Sequence, residues 1–342
     1  MDQKHQIRSA DKDWTSRMTT QIQHDVLIIG SGMAGLAAAD AARAASLSTL
    51  VVDKGRRIGG RVATRRADGF TFNHGAQFLT ARHPDFIAAC DHARQAGALA
   101  DWQVAGRDAL CGAPTMRDLP AHLGAGVEIR QTTEITRIET DADAVTLHDR
   151  DGVVARGQHL VLTAPAPQAQ RLLQDVEPDL AATAGTAIYA PCWTGMYGFD
   201  VDMLPPAADP IRHDNGPVGW AVWEDHRPSL SAASAADRDG AGLVVQAAPD
   251  WSTAHLEEDS ADVAQALLAA YQNQTGLELP TPRYISAHRW RYARVTTAAA
   301  DGAARISADG RIALAGDWLI GGRIESAWLS GRQAMHALLD AG

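Results

Sequence analysis

The chain has 342 residues, 46% hydrophobic and 21% charged, with a formal net charge of -10. That length suits one large globular domain or two interleaved ones, and the acidic balance argues against non-specific binding to nucleic acid or an anionic membrane. No apolar run reaches the length of a membrane span, and the three cysteines (Cys90, Cys111 and Cys192) have the spacing of neither a disulfide framework nor a zinc site, so a reducing, cytoplasmic setting without a structural metal is expected.

Residues 1–21 are polar and of mixed charge, without a signal-peptide core, and are expected to be a disordered tail. Asp25–Ile29 is a short apolar, β-branched run that reads as a buried parallel strand. Gly30-Ser-Gly-Met-Ala-Gly35 follows at once. Next come an alanine-rich helix over Leu36–Ala45 and a strand over Leu47–Val52 that ends at Asp53. Val127–Arg130, Ile135–Glu139 and Ala144–His148 read as short antiparallel strands, with a turn at Asp149–Gly152. His159–Thr163 is a further buried strand, closed by Ala164-Pro-Ala-Pro167. In the middle of the chain Trp193–Phe199, Val218–Trp223 and Gly242–Ala247 read as strands. Asp237–Gly240 reads as a loop and Glu257–Tyr271 as an amphipathic helix. The end returns to the opening grammar, with a strand over Arg311–Ala315, a turn at Gly316-Asp317 and a helix over Glu325–Leu339.

Gly30, Gly32 and Gly35 form G-x-G-x-x-G between a strand and a helix. The first glycine permits the tight turn, the second lets the backbone approach a pyrophosphate, and the third lets helix and strand pack closely. The helix N-terminus at Met33 and Ala34 then offers N–H groups and a positive dipole end to phosphates. Asp53 ends the second strand, where a carboxylate accepts hydrogen bonds from an adenosine ribose. Lys54-Gly-Arg-Arg-Ile-Gly-Gly-Arg61 follows it directly. A double glycine flanked by Arg56 and Arg61, with Gly60 and Val62, can lie along a pyrophosphate and reach a flavin edge. The plainer reading is a basic surface loop. Asp317 is placed to bind ribityl hydroxyls, and Ile324, Glu325 and Ala327 open a helix aimed at the flavin edge that becomes negative on reduction.

These segments resemble renalase and its bacterial relatives within the FAD-dependent amine oxidase superfamily. The resemblance is carried by Ile28–Leu36, Ile58–Thr64, Phe72-Asn-His-Gly-Ala-Gln-Phe78, Pro249–Ser252, Ala287-His-Arg-Trp-Arg-Tyr-Ala293 and Ala315–Gly331. It implies an α/β chain: a Rossmann-type FAD/NAD(P)-binding domain and an interleaved α+β substrate domain over the flavin. We place the first at 22–80, 125–170 and 305–342, and the second at 81–124 and 171–304. The resemblance also implies oxidation of dihydronicotinamides wrongly reduced at ring position 2 or 6, giving NAD(P)+, with O2 reduced to H2O2. Two departures bear on the substrate. Asn73 stands where the family has aspartate. Trp220-Ala-Val-Trp223 runs into Glu224-Asp-His-Arg-Pro228 rather than a stretch ending in Lys-Pro-Gly-Arg.

Hydride transfer from a dihydropyridine to flavin N5 needs no acid or base, only a ring held at about 3–3.5 Å with solvent excluded. Trp193, Tyr197, Trp220, Trp223, Trp251, Trp290 and Tyr292 can line such a pocket, although core packing is the commoner use of aromatics. Trp290 lies within the most restricted segment, and Trp220 is taken with it as a substrate plate. Gln77, amid apolar neighbours, faces either the flavin and substrate carboxamide or a buried network, and Phe78 flanks the cofactor. His74 and His288 read as core or capping histidines. Arg291 is a candidate for a substrate carboxylate or phosphate, or equally for a surface ion pair. Amine oxidation is the rival activity, but its water-bridged lysine has no counterpart: the three lysines are Lys4, Lys12 and Lys54. With no cysteine beyond Cys192, FAD is expected to be non-covalent. A non-catalytic, flavin-binding redox sensor is the third alternative.

Overall fold

A computed structural model of the protein describes residues 22–104, 106–200, 210–213, 215–228, 240–299 and 302–341. The expected tail over 1–21 and most of the expected loop at Asp237–Gly240 lie outside them.

The first sheet is built from both ends of the chain. Its parallel core runs Glu128–Arg130, Thr49–Val52, His24–Ile29, Val153–Leu162 and Ile312–Leu314, with Arg305–Ile306 added antiparallel at the edge. Val26, Leu27 and Ile28 are fully buried, as are Leu160, Val161 and Leu162, which is why these strands read as unbroken apolar runs. Arg137–Thr140 and Val145–His148 continue as a meander onto the first half of Val153–Leu162. One expectation is corrected here. The Val127–Arg130 stretch is not part of that antiparallel meander; Glu128–Arg130 pairs parallel with Thr49–Val52. A three-residue edge strand with an exposed, half-buried, exposed pattern carries no periodic signal of its direction.

The Met33–Ala44 helix covers this sheet and packs on the closing helix, Ile324–Ala341. Small residues set the approach: a Cβ on Gly331 would stand 1.9 Å from the carbonyl oxygen of Ala34. That contact brings the first and last motifs of the sequence together.

The second sheet is antiparallel, in the order Ile211–Arg212, Val218–Trp223, Ala241–Ala247, Ile188–Phe199 and Tyr284–Thr297. The Ser260–Thr275 helix packs on it, begun by Asp259, whose carboxylate accepts from Ala261 N at 2.7 Å. It starts three residues later than the expected Glu257, because Asp259 is the residue with the capping side chain. The fourteen-residue Tyr284–Thr297 strand carries no strand signal in the sequence reading. Only Val295 in it is buried, so no apolar alternation marks it. The Pro84–Gln95 helix and the Leu99–Val104/Arg107–Gly112 hairpin pack in one buried cluster with Phe72, Met196 and Trp220. No helix among the described residues is long and apolar enough to cross a membrane.

Candidate active site

One cavity of about 2230 Å³ runs between the two sheets. Single small-molecule sites typically occupy about 300–1,000 Å³, so this one has room for a dinucleotide and a second ligand. Every residue expected to hold a cofactor lines it except Gly35 and Glu325, and so do Gln77, Trp220, Trp290 and Arg291.

The glycine loop explains the first exception. Gly30 has φ +105°, a conformation that favours glycine. A Cβ on Gly35 would lie 1.9 Å from Gly30 O, so this glycine serves the strand–helix packing from behind the loop. A Cβ on Gly32 would meet nothing within 4 Å, so the backbone there is bare toward open space. The Met33–Ala44 helix has no side-chain cap and no acidic residue in its first turn. Its free N–H groups suit a pyrophosphate. Asp53 is oriented by Ser31 N at 2.5 Å, Ser31 Oγ at 2.7 Å and Gly55 N at 2.6 Å. These residues fit a dinucleotide such as FAD. They would hold its phosphates on backbone N–H groups and its adenosine ribose on Asp53.

Glu325 corrects an expectation. Its carboxylate turns away from the cavity and accepts from Arg82 N at 2.6 Å and His83 N at 2.7 Å, with Arg323 at 2.8 Å. Burial raises its pKa, but these hydrogen bonds and Arg323 outweigh burial and hold it below the usual value. It secures the start of the Pro84–Gln95 helix rather than a flavin. Asp317 is buried and bidentate with Arg61, at 2.5 and 3.0 Å; Arg61 also donates to Ala293 O at 3.2 Å. Two expected cofactor residues thus brace each other, which leaves the remaining lone pairs of Asp317 for ribityl hydroxyls.

The substrate-side wall is made of rings: the indole N–H groups of Trp220 and Trp290 are engaged by protein acceptors, whereas buried His74 Nδ1 has no hydrogen-bond partner. Gln77 lines the cavity, but its amide belongs to a buried network. Its Nε2 donates to Asn73 O at 2.6 Å and Gly75 O at 2.9 Å, and its Oε1 accepts from Trp220 Nε1 at 3.2 Å and from Arg227. The expected role of Gln77 toward flavin or substrate carboxamide is therefore replaced by a structural one: no donor or acceptor of its side chain is left over. Trp290 Nε1 donates to His74 O at 2.8 Å, and its ring stacks on His74 with centroids 5.4 Å apart. His288 meets Trp290 edge-on at 4.3 Å. Burial above all, then His288 and Arg65, pushes His74 down to about 3; burial and Arg65 push His288 down to about 4. Both imidazoles are neutral at physiological pH. Arg291 is at the rim and bidentate to Glu257 at 2.7 and 2.9 Å, so the ion-pair alternative is the one realised. Of the other candidate aromatics, Trp193, Tyr197 and Trp223 are core residues, and Tyr292 lines the cavity.

The sequence reading missed the support beneath this wall. Arg227 is fully buried; it pairs with Glu224 at 2.8 Å, donates to Gln77 O at 2.6 Å and lies 4.8 Å over the Trp102 ring. Glu224 accepts from Asn73 N at 2.8 Å and Asn73 Nδ2 at 2.7 Å. Burial pushes Glu224 upward, against Arg227 and Asn73, which favour its charged form. The signal was present as the two departures from the family pattern, which meet in this one network.

Charge on the lining is lopsided. Among the described residues it carries twelve arginines and one lysine against three carboxylates, Asp53, Glu134 and Asp317. All three acids stand on the glycine-loop side; the ring-lined wall has none.

An open parallel sheet carrying a glycine-rich loop, facing an antiparallel sheet across one cleft, defines a mixed α/β fold with a Rossmann-like dinucleotide-binding domain and a second domain over the cleft. Residues 28–93 match the NAD(P)-binding Rossmann-like domain, and residues 95–339 match the flavin-containing amine oxidoreductase family. The chain belongs to that family, whose cofactor is FAD. Similar solved structures include an Exiguobacterium sp. 255-15 protein proposed to be a protoporphyrinogen oxidase, with TM-score 0.70 and 16% identity over 94% of this chain and 100% of that one. A putrescine oxidase variant gives TM-score 0.69 and 13% identity over 94% and 100%. Among curated proteins, 4,4'-diapolycopene oxygenase of Methylomonas sp is 35% identical over 66 residues, 19% of this chain and 13% of its own length. Polyamine oxidase 3 of Oryza sativa subsp. japonica is 45% identical over 53 residues, 16% and 11%. The matched segments thus span only a small fraction of those relatives.

Proposed function

We propose that the protein is an oxidase of isomeric dihydronicotinamide nucleotides. It converts 2- or 6-dihydro-NAD(P) to NAD(P)+, while O2 takes up the electron pair with the transferred hydrogen and one proton and leaves as H2O2. Bound FAD supplies the two-electron acceptor. The observation that carries this reading is the substrate-side wall: flat rings, with the indole N–H groups of Trp220 and Trp290 engaged, arginines at the margins, and no carboxylate. Such a wall orients a planar ring and excludes water, and it attracts an anion. It offers no carboxylate to pair with a cationic amine, and His74 and His288 are too weakly basic to take a proton at neutral pH. The donor ring becomes aromatic as it is oxidised, so no base is needed. Burial pushes the Cys192 thiol on the cavity wall up to about 11, which keeps it protonated and a poor nucleophile and supports non-covalent FAD.

The test is anaerobic mixing of the holoenzyme with 2- or 6-dihydro-NAD, with ordinary NADH and with a panel of primary amines and polyamines. Bleaching of the flavin is expected to be far faster with the isomeric dinucleotides than with NADH, and oxygen then restores the colour with release of H2O2. Equal bleaching by NADH overturns the reading. Bleaching by amines alone assigns amine oxidation, and a flavin that no donor bleaches assigns a non-catalytic flavoprotein.

A further inference from the structure

Arg65 and Arg66 stand on the Arg65–Ala67 strand, and Arg117 precedes the Asp118–Leu123 helix. The Arg117 guanidinium donates to the carbonyl of Thr64, the residue directly before Arg65, and Arg117 N donates to Thr64 Oγ1 at 3.2 Å. All three arginines line the cavity. Arg65 reaches across the cleft, with Nη1 donating to Ser286 Oγ at 3.2 Å.

None of the three has an ion pair with a described carboxylate. Adjacent Asp118 is engaged by Thr115, whose N and Oγ1 donate to it at 2.9 and 2.6 Å. Burial first, then Arg57 and Arg66, holds the Arg117 guanidinium below its ordinary value, with Asp118 acting weakly the other way. In a chain of net charge -10, Arg66 acts on Arg117 and both Arg65 and Arg117 act on His74, so the three line one region of the cavity without an ion-pair partner among the described carboxylates. Such a cluster favours an anion, and planar guanidinium forks match phosphate oxygens.

Its place relative to the ring-lined wall is set by strand geometry. Ser286, His288 and Trp290 are alternate residues of the Tyr284–Thr297 strand, so their side chains share one face. Ser286 and Trp290 are four residues apart, about 13 Å at roughly 3.3 Å per residue. Arg65 thus meets one end of this stripe and the Trp290 ring stands toward the other. Arg65 also acts electrostatically on both His74 and His288, which border that ring.

We propose that Arg65, Arg66 and Arg117 form a phosphate subsite for the substrate, so that the ligand stacked on the wall is a nucleotide rather than a free dihydronicotinamide or its riboside. The ring's identity rests on the functional reading above; the anion subsite stands on the arginines alone.

The experiment titrates inorganic pyrophosphate into the holoenzyme by calorimetry, comparing wild type with Arg66→Glu, an exposed side chain, and Arg117→Gln. Wild type binds, and each variant is expected to lose about tenfold in affinity or more. In rapid-mixing kinetics the same variants raise the half-saturating concentration of isomeric dihydro-NAD and leave the limiting rate of flavin reduction unchanged. The phosphate-free riboside is handled alike by all three proteins. Unchanged pyrophosphate affinity in both variants overturns the subsite. So does binding to apoenzyme but not holoenzyme, which would assign the arginines to the flavin. If no dihydronicotinamide reduces the flavin but pyrophosphate binding still follows the arginines, the oxidase reading fails and the subsite survives.

Discussion

An aspartate at position 73 would place a second carboxylate against buried Glu224. Asparagine instead donates to Glu224 from Nδ2 while its Oδ1 accepts from Thr64 Oγ1 at 2.7 Å and Met116 N at 2.8 Å. Asn73→Asp is therefore expected to destabilise the protein by about 2–3 kcal/mol, through like-charge contact and a lost hydrogen bond. Adding Glu224→Gln in the same chain should recover part of that loss, since only one carboxylate then remains. Thermal melts of the single and double variants check it; additive destabilisation would count against the network. The residues of this network were visible in the sequence only as mismatches to a pattern. Position 73 and positions 224–227 are some 151 residues apart along the chain, and only folding brings them to hydrogen-bond distance.

Elements with their own local chemistry were legible. The glycine loop, the alanine-rich helix and the flanking apolar strands each answer to a rule that acts within a few residues. The glycines also divide their labour in a way that can be tested at the helix N-terminus. Gly35→Ala drives a methyl group into the Gly30 carbonyl and should unfold or severely destabilise the domain. Gly32→Ala meets no protein atom, so the fold and melting temperature of apoprotein should persist while FAD occupancy falls. Flavin content and apoprotein melting, measured together, separate the two; a colourless, unfolded Gly32→Ala would refute that assignment. The Tyr284–Thr297 strand was not legible for the opposite reason. It gains its structure from pairing with Ile188–Phe199 along nearly its whole length and leaves its side chains half exposed at the cavity, where apolar alternation is absent.

The whole molecule places two neutral imidazoles in the cleft between its sheets, and this has a pH consequence. An unfolded histidine titrates near 6.5, whereas His74 and His288 are held at about 3 and about 4, with burial the largest cause. Below 6.5 the unfolded chain therefore binds protons that the folded one refuses. Their contribution to stability is complete above that pH and is lost as pH falls toward about 4. His74→Asn should flatten the fall in melting temperature between about pH 7 and about pH 5. A slope unchanged by the substitution would show that other groups set it.

By itself the sequence determined the Rossmann-like unit, the positions of its loop glycines and of the acid that ends its second strand, and the return of the chain end to that unit. Those features rest on propensity, spacing and turn chemistry, which act locally. Only the tertiary structure decided that Glu325 secures a helix, that Gln77 and Arg291 are already partnered, and that Glu224, Arg227 and Asn73 support the wall. It also decided that Arg65, Arg66 and Arg117 line the cavity without an ion-pair partner among the described carboxylates. Partner choice among polar groups depends on which side chains converge in space, and hydrogen bonds and charges between distant segments leave no period in the chain for a reader to find.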